Sequence, residues 1–373
     1  MKIKINELLI AGDTGAALEL LFESVRGDYL EKEIILLRSR YSTHLKNENL
    51  GLTRENDSEL NKIKKTIIVY ASNLEDRFKN PLIPDLEDMD EIKRFTKLIN
   101  KSKYFKDKLI VKDGPTYKLP KLVDEGKYYI PKNIENRSNT ISKEQKKNNR
   151  PNDPCAGILD SPIWEDSPLH IHYHPMLYSQ IKAFREEGVD VKMLSVNVIL
   201  FCEDEEFILV HRRSKKADDY IHTLHTFGGA FLPSGISPYG DLGGIRECAR
   251  REIHEETGIS INIPEFTPTI TIDEFNISYI QIAFLGINIP KANLIDLRSN
   301  WEGTVQKIKF TELESNLKNI DLWTPTGWLH ILYWLVLNTP NSNRELKFKN
   351  KSSLDLANQL IDYLEEIENN TAI

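Results

Sequence analysis

Cysteine is scarce in this chain, with three in 373 residues: Cys155, Cys202 and Cys248. An odd number at wide spacings builds neither a disulfide framework nor a zinc cluster, and it suits a reducing compartment. Long apolar runs are missing as well. The most apolar stretch, Trp328 to Leu337, is too short to span a bilayer and contains His330. Glu7 and Asp13 interrupt Leu8 to Leu18, so no signal-peptide core is expected and the expected location is cytoplasmic. A basic excess is absent too. The 49 Lys and Arg against 56 Asp and Glu leave a net charge of -7, which argues against nucleic acid as a main partner.

The chain does have enough length for two or three domains and the apolar and charged fractions, 40% and 28%, of a globular protein. Residues 1–76 read as helices. Asp13 or Thr14 caps a helix carrying Ala17, Leu18, Leu20, Leu21 and Val25 at helical spacing. A second helix follows Gly27-Asp28 with Leu30, Ile34, Ile35, Leu37 and Tyr41, and a third carries Leu60, Ile63, Ile67, Ile68 and Ala71. The succession INELLIAGDTGAALELLFESV, EIILLRSRYSTHLKNENLGL and ENDSELNKIKKTIIVYASNL resembles the helical effector-associated domains at the ends of bacterial conflict-system proteins. That resemblance implies an adaptor, coupling an effector to a protein partner that carries a matching domain in an antiviral defence or signalling assembly. The bland alternative is an accessory bundle that only packs on its neighbour.

Residues 77–160 read as a connector. It holds a helix from Glu91 to Lys101, a strand at Leu109-Ile110-Val111 and a turn at Asp113-Gly114-Pro115. Within it, residues 131–154 are rich in Asn, Lys and Ser and read as a low-complexity linker with too little apolar surface to fold alone. From 161 the composition turns globular, giving an expected domain over 161–345 and a C-terminal helix within 346–373. His170, His172 and His174 alternate, which on a strand shares one face. Three histidines from one strand converge poorly on a metal, so an edge strand with polar contacts is the favoured reading. A helix from Leu177 to Glu187 follows. Strands are then expected at Met193–Cys202, Phe207–Arg213, Leu224–Phe231, Ile259–Ile263, Thr267–Ile272, Ser278–Ile289 and Gln306–Phe310. Late helices are expected at Thr311–Leu317, Pro325–Leu337 and Asp355–Ile367. The order is that of a layered α/β domain rather than a βαβ repeat.

Between those strands lies the stretch that carries chemistry, Arg251-Glu252-Ile253-His254-Glu255-Glu256-Thr257-Gly258-Ile259, behind Phe227-Gly228-Gly229-Ala230. At 3.6 residues per turn, Glu252, Glu255 and Glu256 fall within an arc of about 100°. Ile245, Cys248 and Ala249 point to the same side, so three like charges lie along a face that begins apolar. Such a cluster raises its own pKa values or takes a counter-charge, for which a hard divalent cation suits oxygen ligands. Gly258 ends the helix where a positive φ is wanted.

Gly228-Gly229 followed by REIHEETGI resembles the signature of the Nudix hydrolases over roughly residues 165–340. The resemblance implies an α/β/α sandwich with a mixed sheet behind the all-α bundle. It also implies magnesium or manganese, and hydrolysis of nucleoside diphosphates linked to another group. Glu252, Glu255 and Glu256 are then the metal ligands, and Arg251 orients a glutamate. Gly228, Gly229 and Arg213 are the substrate-binding candidates, the last at a strand end beside His211 and Arg212. Glu302 is the candidate extra base. Tyr220, Tyr239 and Trp323 are candidates to stack on a base, or to pack on their own domain. One position departs: the family's glutamate eight residues before the arginine is Gly243 here, and the loop before it is longer. Asp241 and Glu247 are the candidate substitutes, Glu247 as an ion-pair partner one helical turn before Arg251. The departure leaves two functional readings, a hydrolase and a catalytically silent nucleotide sensor. A solvated acidic helix in a structural protein is a third, weaker one.

Overall fold

A computed structural model of the chain describes residues 2–24, 31–49, 58–79, 86–148, 150–160, 162, 169–215, 217, 219–233, 241, 244–264, 267–338, 348 and 351–370. It divides into two compact units, Met1–Ile83 and Pro84–Ile373.

The first unit holds four helices: α1 (Lys2–Ile10), α2 (Thr14–Ser24), α3 (Glu31–Asn49) and α4 (Ser58–Lys79). The Asp13 carboxylate accepts from the Ala16 amide at 2.9 Å, which satisfies an N-terminal donor of α2. Ala17, Leu18 and Leu21 of α2, Ile34 and Leu37 of α3, and Ile63 and Ile67 of α4 are buried together with Ile5 of α1. The last helix runs past the expected boundary at 76.

The second unit is built on α5 (Leu86–Lys101), β1 (Leu109–Thr116), β2 (Lys121–Asp124), α6 (Lys132–Lys147), β3 (Pro154–Ile158), β4 (His170–Leu177) and α7 (Tyr178–Glu186). It continues through β5 (Lys192–Cys202), β6 (Phe207–Arg213), β7 (Leu224–His225), β8 (Phe227–Ala230), α8 (Ile245–Thr257), β9 (Thr269–Glu274), β10 (Tyr279–Asn288) and β11 (Gly303–Lys309). Three helices, α9 (Phe310–Lys318), α10 (Pro325–Leu337) and α11 (Ser353–Asn370), close it. The strands form one mixed sheet in the order β1-β9-β10-β5-β3-β4-β2, with β6 and β8 also on β5, and β7 and β11 on β6. Strands β5 and β10 run parallel, as do β2 and β4, and the other pairs are antiparallel.

Period-two alternation splits the apolar side chains between two cores. Ile199 and Phe201 of β5, Ile208 and Val210 of β6, and Ala283 and Leu285 of β10 join α5, α9, α10 and α11 in one core. Val196, Val198 and Leu200, Phe207 and Leu209, and Ile280, Ile282 and Phe284 join Ile245, Cys248, Ala249 and Ile253 of α8 in the other. The apolar run of α10 is therefore a core helix, and among the described residues no helix is long and apolar enough to cross a membrane.

From Pro84 onward, the connector expected at 77–160 belongs to this unit. Its strand β1 continues through the expected turn at Asp113-Gly114-Pro115 with register shifts and pairs with β9; β2 pairs with β4, and β3 lies between β4 and β5. The linker expected at 131–154 is also corrected: residues Lys132–Lys147 are helical and buried along Ile134, Ser138, Ile141 and Gln145. Those four residues recur at helical spacing, so two isoleucines and two small or amide side chains make a seam against α7. There Ser138 and Ser179 hydroxyls share a 2.8 Å hydrogen bond. The Leu224–Phe231 strand divides into β7 and β8. Residues 259–263 form no strand, because Ile259 and Ile263 are drawn into the α8-side core without a strand beside them. The C-terminal helix shares the core of α10 rather than standing apart.

Replacing Ile141 by Ala should cost about 3 kcal/mol of unfolding free energy, the usual toll for truncating a buried isoleucine. Denaturant unfolding checks this, since a linker residue in the same place leaves the midpoint unmoved.

Candidate active site

Helix α8 begins after Gly244 and ends at Gly258, whose φ of 78° is the left-handed stop expected there. Glu252 and Glu256, one turn apart, lie on its buried face with Ile245, Cys248, Ala249 and Ile253, while the Glu255 side chain is 54% exposed. What lets carboxylates occupy a buried face is the strand opposite. A Cβ at Gly229 would stand 2.5 Å from both Glu252 carboxylate oxygens, so only glycine lets that carboxylate lie on β8. The neighbouring Gly228 amide donates to the second oxygen of Glu256 at 2.8 Å. The first oxygen of Glu256 meets His211 Nδ1 of β6 at 2.9 Å, both side chains being almost fully buried. Burial works against the His211 imidazolium, but the charge and hydrogen bond of Glu256, with Glu302 behind it, outweigh that and hold its pKa above the ordinary value.

Arg251 binds these parts together. Its Nε donates to Asp241 Oδ1 at 2.9 Å, its Nη1 to Glu252 Oε1 at 2.6 Å and to Glu255 Oε2 at 3.3 Å, and its Nη2 to the Ala230 carbonyl at 2.9 Å. Asp241 is buried and also accepts from the Leu232 amide at 2.8 Å, so it ties Leu232 to Arg251. Of the two candidate substitutes for the missing glutamate, it is Asp241 that reaches Arg251. Glu247 pairs instead with Arg250 on the exposed side of α8. Gly243 itself and Tyr239 lie outside the described residues.

The carboxylates repel one another across the site. Burial first, then Glu256, Glu255 and Glu302, push Glu252 up to about 8 despite Arg251. Burial and Glu256 likewise push Glu302 up to about 7. Glu302 comes to the site at the start of β11, whose Gly303 pairs with Arg213. Among the described residues, no three His, Cys, Asp or Glu side chains converge closely enough to hold an ion as they stand, and Arg251 and His211 each pair with a carboxylate of the site. The donor set is oxygen only and suits a hard divalent cation in its chemistry, with Glu252, Glu255 and Glu256 as the carboxylates that would hold it.

These groups open on a cavity of about 450 Å³ lined also by Arg213, Tyr220, Trp301 and Glu302. The Arg213 Nε donates to the Asp219 carbonyl at 2.9 Å. Trp323 is not at the cavity; it is buried in the core, with its indole N–H on the Asn316 carbonyl. Tyr220, which lines the cavity, donates from its hydroxyl to Glu274 at 2.6 Å, which fixes the position of its ring. The three alternating histidines lie on β4 away from the cavity lining, His172 against Glu125 and His174 Nδ1 on the Gly126 carbonyl.

Sequence reasoning missed the cavity floor. Thr324 Oγ1 lies 2.7 Å from His225 Nδ1, His225 Nε2 lies 3.1 Å from Asn197 Oδ1, and Asn197 Nδ2 donates to Gln281 Oε1 at 2.7 Å. The Gln281 amide in turn donates to Glu274. Burial, then Arg213, drive the His225 pKa well below the ordinary value. The ring is neutral, and since Asn197 Oδ1 accepts, His225 carries its proton on Nε2 and accepts from Thr324. Every bond thus points toward Glu274, which burial pushes up to about 7. The available signal was parity: Ser195 and Asn197 on β5 and Gln281 on β10 are polar residues inside largely apolar strands, and Ser195 sits beside Gln281 in register.

Two outcomes follow from this charge arrangement. The folded pKa of Glu252 lies above the ~4.3 of a free glutamate, so the folded chain keeps a proton that the unfolded chain releases. Stability of the metal-free protein therefore falls as pH rises from about 5 to 8. Thermal unfolding in chelator should show that fall, reduced in Glu252→Gln; parallel pH profiles would contradict it. Asp241→Ala leaves a buried guanidinium short of a partner and should cost about 3 kcal/mol, whereas Glu247→Ala, at an exposed pair, should change stability by less than about 1 kcal/mol.

Residues 191–322 match the NUDIX domain and residues 2–75 match effector-associated domain 11. The chain thus carries both domains, the first within the broader span expected for it. Among solved structures, a MutT protein from Methanosarcina mazei is 16% identical, with 41% of this chain and 95% of that one covered, at a TM-score of 0.28. A NUDIX hydrolase from Nitrosomonas europaea is 16% identical, over 38% of this chain and 86% of its own, at 0.28. A bifunctional NMN adenylyltransferase/ADP ribose pyrophosphatase from Francisella tularensis, complexed with AMP and a manganese ion, is 18% identical over 43% of this chain and 49% of its own, at 0.29.

Proposed function

We propose, for a chain that joins an effector-associated domain to a NUDIX domain, a divalent-cation-dependent hydrolase of a diphosphate linkage in a nucleotide or nucleoside-diphosphate derivative. The observation that carries this reading is the row of mutually repelling carboxylates, Glu252, Glu255, Glu256 and Glu302, gathered beside a polar cavity with one guanidinium among them. A site with that excess of buried negative charge has a use for a cation and for a substrate that brings one.

Glu252, Glu255 and Glu256 would hold Mg²⁺ or Mn²⁺. When bound there, the ion supplies charge neutralisation to the diphosphate and Lewis acidity. The chain's own residues do the rest. Arg251 holds Glu252 by a charge-assisted hydrogen bond and is itself aimed by Asp241, so the helix face is preorganised before substrate arrives. The Gly228 amide and His211 fix the rotamer of Glu256. Glu302, half-buried with a pKa near neutrality, is suited to take a proton from attacking water. Arg213 lines the cavity and offers a planar cation to a phosphate or ribose.

The N-terminal unit supports a second part of the proposal, recruitment by a protein partner that carries a matching effector-associated domain, in a bacterial defence or signalling assembly. A catalytically silent nucleotide sensor is the competing reading. It is favoured by Gly243 in the place of a signature glutamate and by carboxylates that Arg251 and His211 already occupy.

Incubated with Mg²⁺ or Mn²⁺, the purified chain should cleave at least one of ADP-ribose, dinucleoside polyphosphates and nucleoside triphosphates over multiple turnovers. Glu255→Gln and Glu256→Gln should abolish this. Glu302→Gln should lower kcat by roughly 10²- to 10⁴-fold with little change in KM, the usual contribution of a general base. Tight binding of one of these nucleotides with no turnover selects the sensor, and an intact panel with no metal binding by calorimetry rejects both.

A further inference from the structure

Trp301 is 45% exposed and lines the cavity, whereas the other described tryptophans, Trp323, Trp328 and Trp334, are buried in the core. An indole offers a large flat apolar face, and such a face packs well against another planar ring. A single exposed apolar side chain is ordinary on a protein surface, so what sets Trp301 apart is how it is mounted and what stands beside it.

The turn that carries Trp301 into β11 is pinned along its length. The Trp301 carbonyl accepts from the Ser214 hydroxyl at 3.1 Å, and the Ser214 amide donates to the Glu302 carbonyl at 2.6 Å. On the other side, Asn300 Oδ1 accepts from the amides of Glu302 at 2.9 Å and Gly303 at 3.2 Å. Backbone and neighbouring side chains are thus spent on holding the turn, and the indole is not. Among the described residues, neither its ring nor its N–H has a partner. Two other aromatic residues of the cavity are engaged: Tyr220 is bonded through its hydroxyl to Glu274 and Asn276, and Tyr279 has the Arg185 guanidinium 5.5 Å from its ring centroid.

The location completes the argument. Glu302 follows Trp301 directly, and the Ser214 that holds the turn follows Arg213, so the indole is mounted next to the residues proposed to meet water and phosphate. A diphosphate seated among them has an unoccupied apolar face one residue away, and the group attached to that diphosphate is what can cover it.

We propose that Trp301 is the platform on which the nucleobase of the substrate stacks. It is a binding residue with no part in bond breaking. Every base has a π face, so a stack of this kind selects base-bearing diphosphates over base-free ones and discriminates little between one base and another. The inference rests on the proposed nucleotide reading of the cavity.

The test uses the full chain in Mg²⁺ with hydrolysis-resistant probes, so that it holds for an enzyme and a silent binder alike. Titration calorimetry compares α,β-methylene-ADP and its uridine counterpart with ribose 5-methylenediphosphonate, the same molecule without a base. The wild type should bind at least one nucleoside analogue more tightly than the base-free probe. Trp301→Ala should weaken that analogue roughly 5- to 100-fold, the value of a base–aromatic stack, and leave the base-free probe within about twofold. Trp301→Phe, which keeps an aromatic face, should hold the analogue within about fivefold of the wild type. Equal weakening of all probes by Trp301→Ala assigns the indole a structural role and overturns the inference, as does no weakening of any. Selective weakening that Trp301→Phe shares in full overturns it too, since a stack needs only the ring. A wild type that binds the base-free probe as tightly as both nucleoside analogues has no base platform, which overturns the inference and leaves the diphosphate reading standing. A wild type that binds none of the three overturns both.

Discussion

The guanidinium of Arg251 is the constraint on which the site depends. It cannot shed its proton, so once buried it must find acceptors for a planar fork of donors. It finds them on three separate pieces of chain: the Ala230 carbonyl at the end of β8, Asp241 at the far end of a loop, and Glu252 with Glu255 on its own helix. Each acceptor thereby gains a position. Asp241 is held beside Leu232 because it must face the arginine, and α8 is set against β8 because Glu252 and Ala230 share one cation. The balance of charge is also decided there. One guanidinium serves three carboxylates, and Glu256 and Glu302 add to the same field, so the face stays negative after its internal pairing is complete.

A sheet that is apolar along most of its length accommodates this at one end. On the face that carries Ile199 and Phe201, the same strand β5 carries Ser195 and Asn197 further toward its start, and β10 moves from Leu285 and Ala283 to Gln281. Burying that many polar groups is tolerable only because they satisfy one another in a single direction, from Thr324 through His225, Asn197 and Gln281 to Glu274. Reversing any amide would set donor against donor. The floor is consequently rigid, with its amide orientations and its histidine tautomer settled before a ligand arrives, as a preorganised site requires.

What was legible in the sequence follows from how local each interaction is. The glutamate row of α8 shows in the letters because residues three and four apart share a helix face, and the αL stop at Gly258 is one residue's property. Three of the four helices of the first unit, α2, α3 and α4, are equally local, whereas α1 was not legible as a separate element. The floor is not, since Asn197 and Gln281 meet across 84 residues of chain and only strand register brings them together. Helix α6 was hidden for another reason. Averaged composition around residues 131–154 is polar, but two isoleucines seven apart, with Ser138 and Gln145 in the same stripe, are enough to seat a helix on a neighbour that already exists. Composition judges whether a segment folds alone; it is silent on whether a neighbour will hold it. Glu247 illustrates the opposite error. One turn before Arg251 it has the spacing of a partner, yet the arginine turns inward with Cys248 and Glu252 while Glu247 stays in the exposed stripe with Arg250.

The same geometry bears on the glycine at position 243, the departure that most favours a silent domain. A signature carboxylate is missing there, but the guanidinium is not left short of one, because Asp241 reaches it with both oxygens from two residues earlier. Loss of support around Arg251 is thus a weak ground for inferring loss of turnover. The stronger ground lies with Glu256, whose oxygens are both engaged, one by a backbone amide and one by His211. A carboxylate held that firmly is well placed for one geometry and poorly placed for any other. Whether the site turns over or only binds therefore hinges on the His211–Glu256 contact and on Glu302 across from it, more than on the residue that the signature lacks.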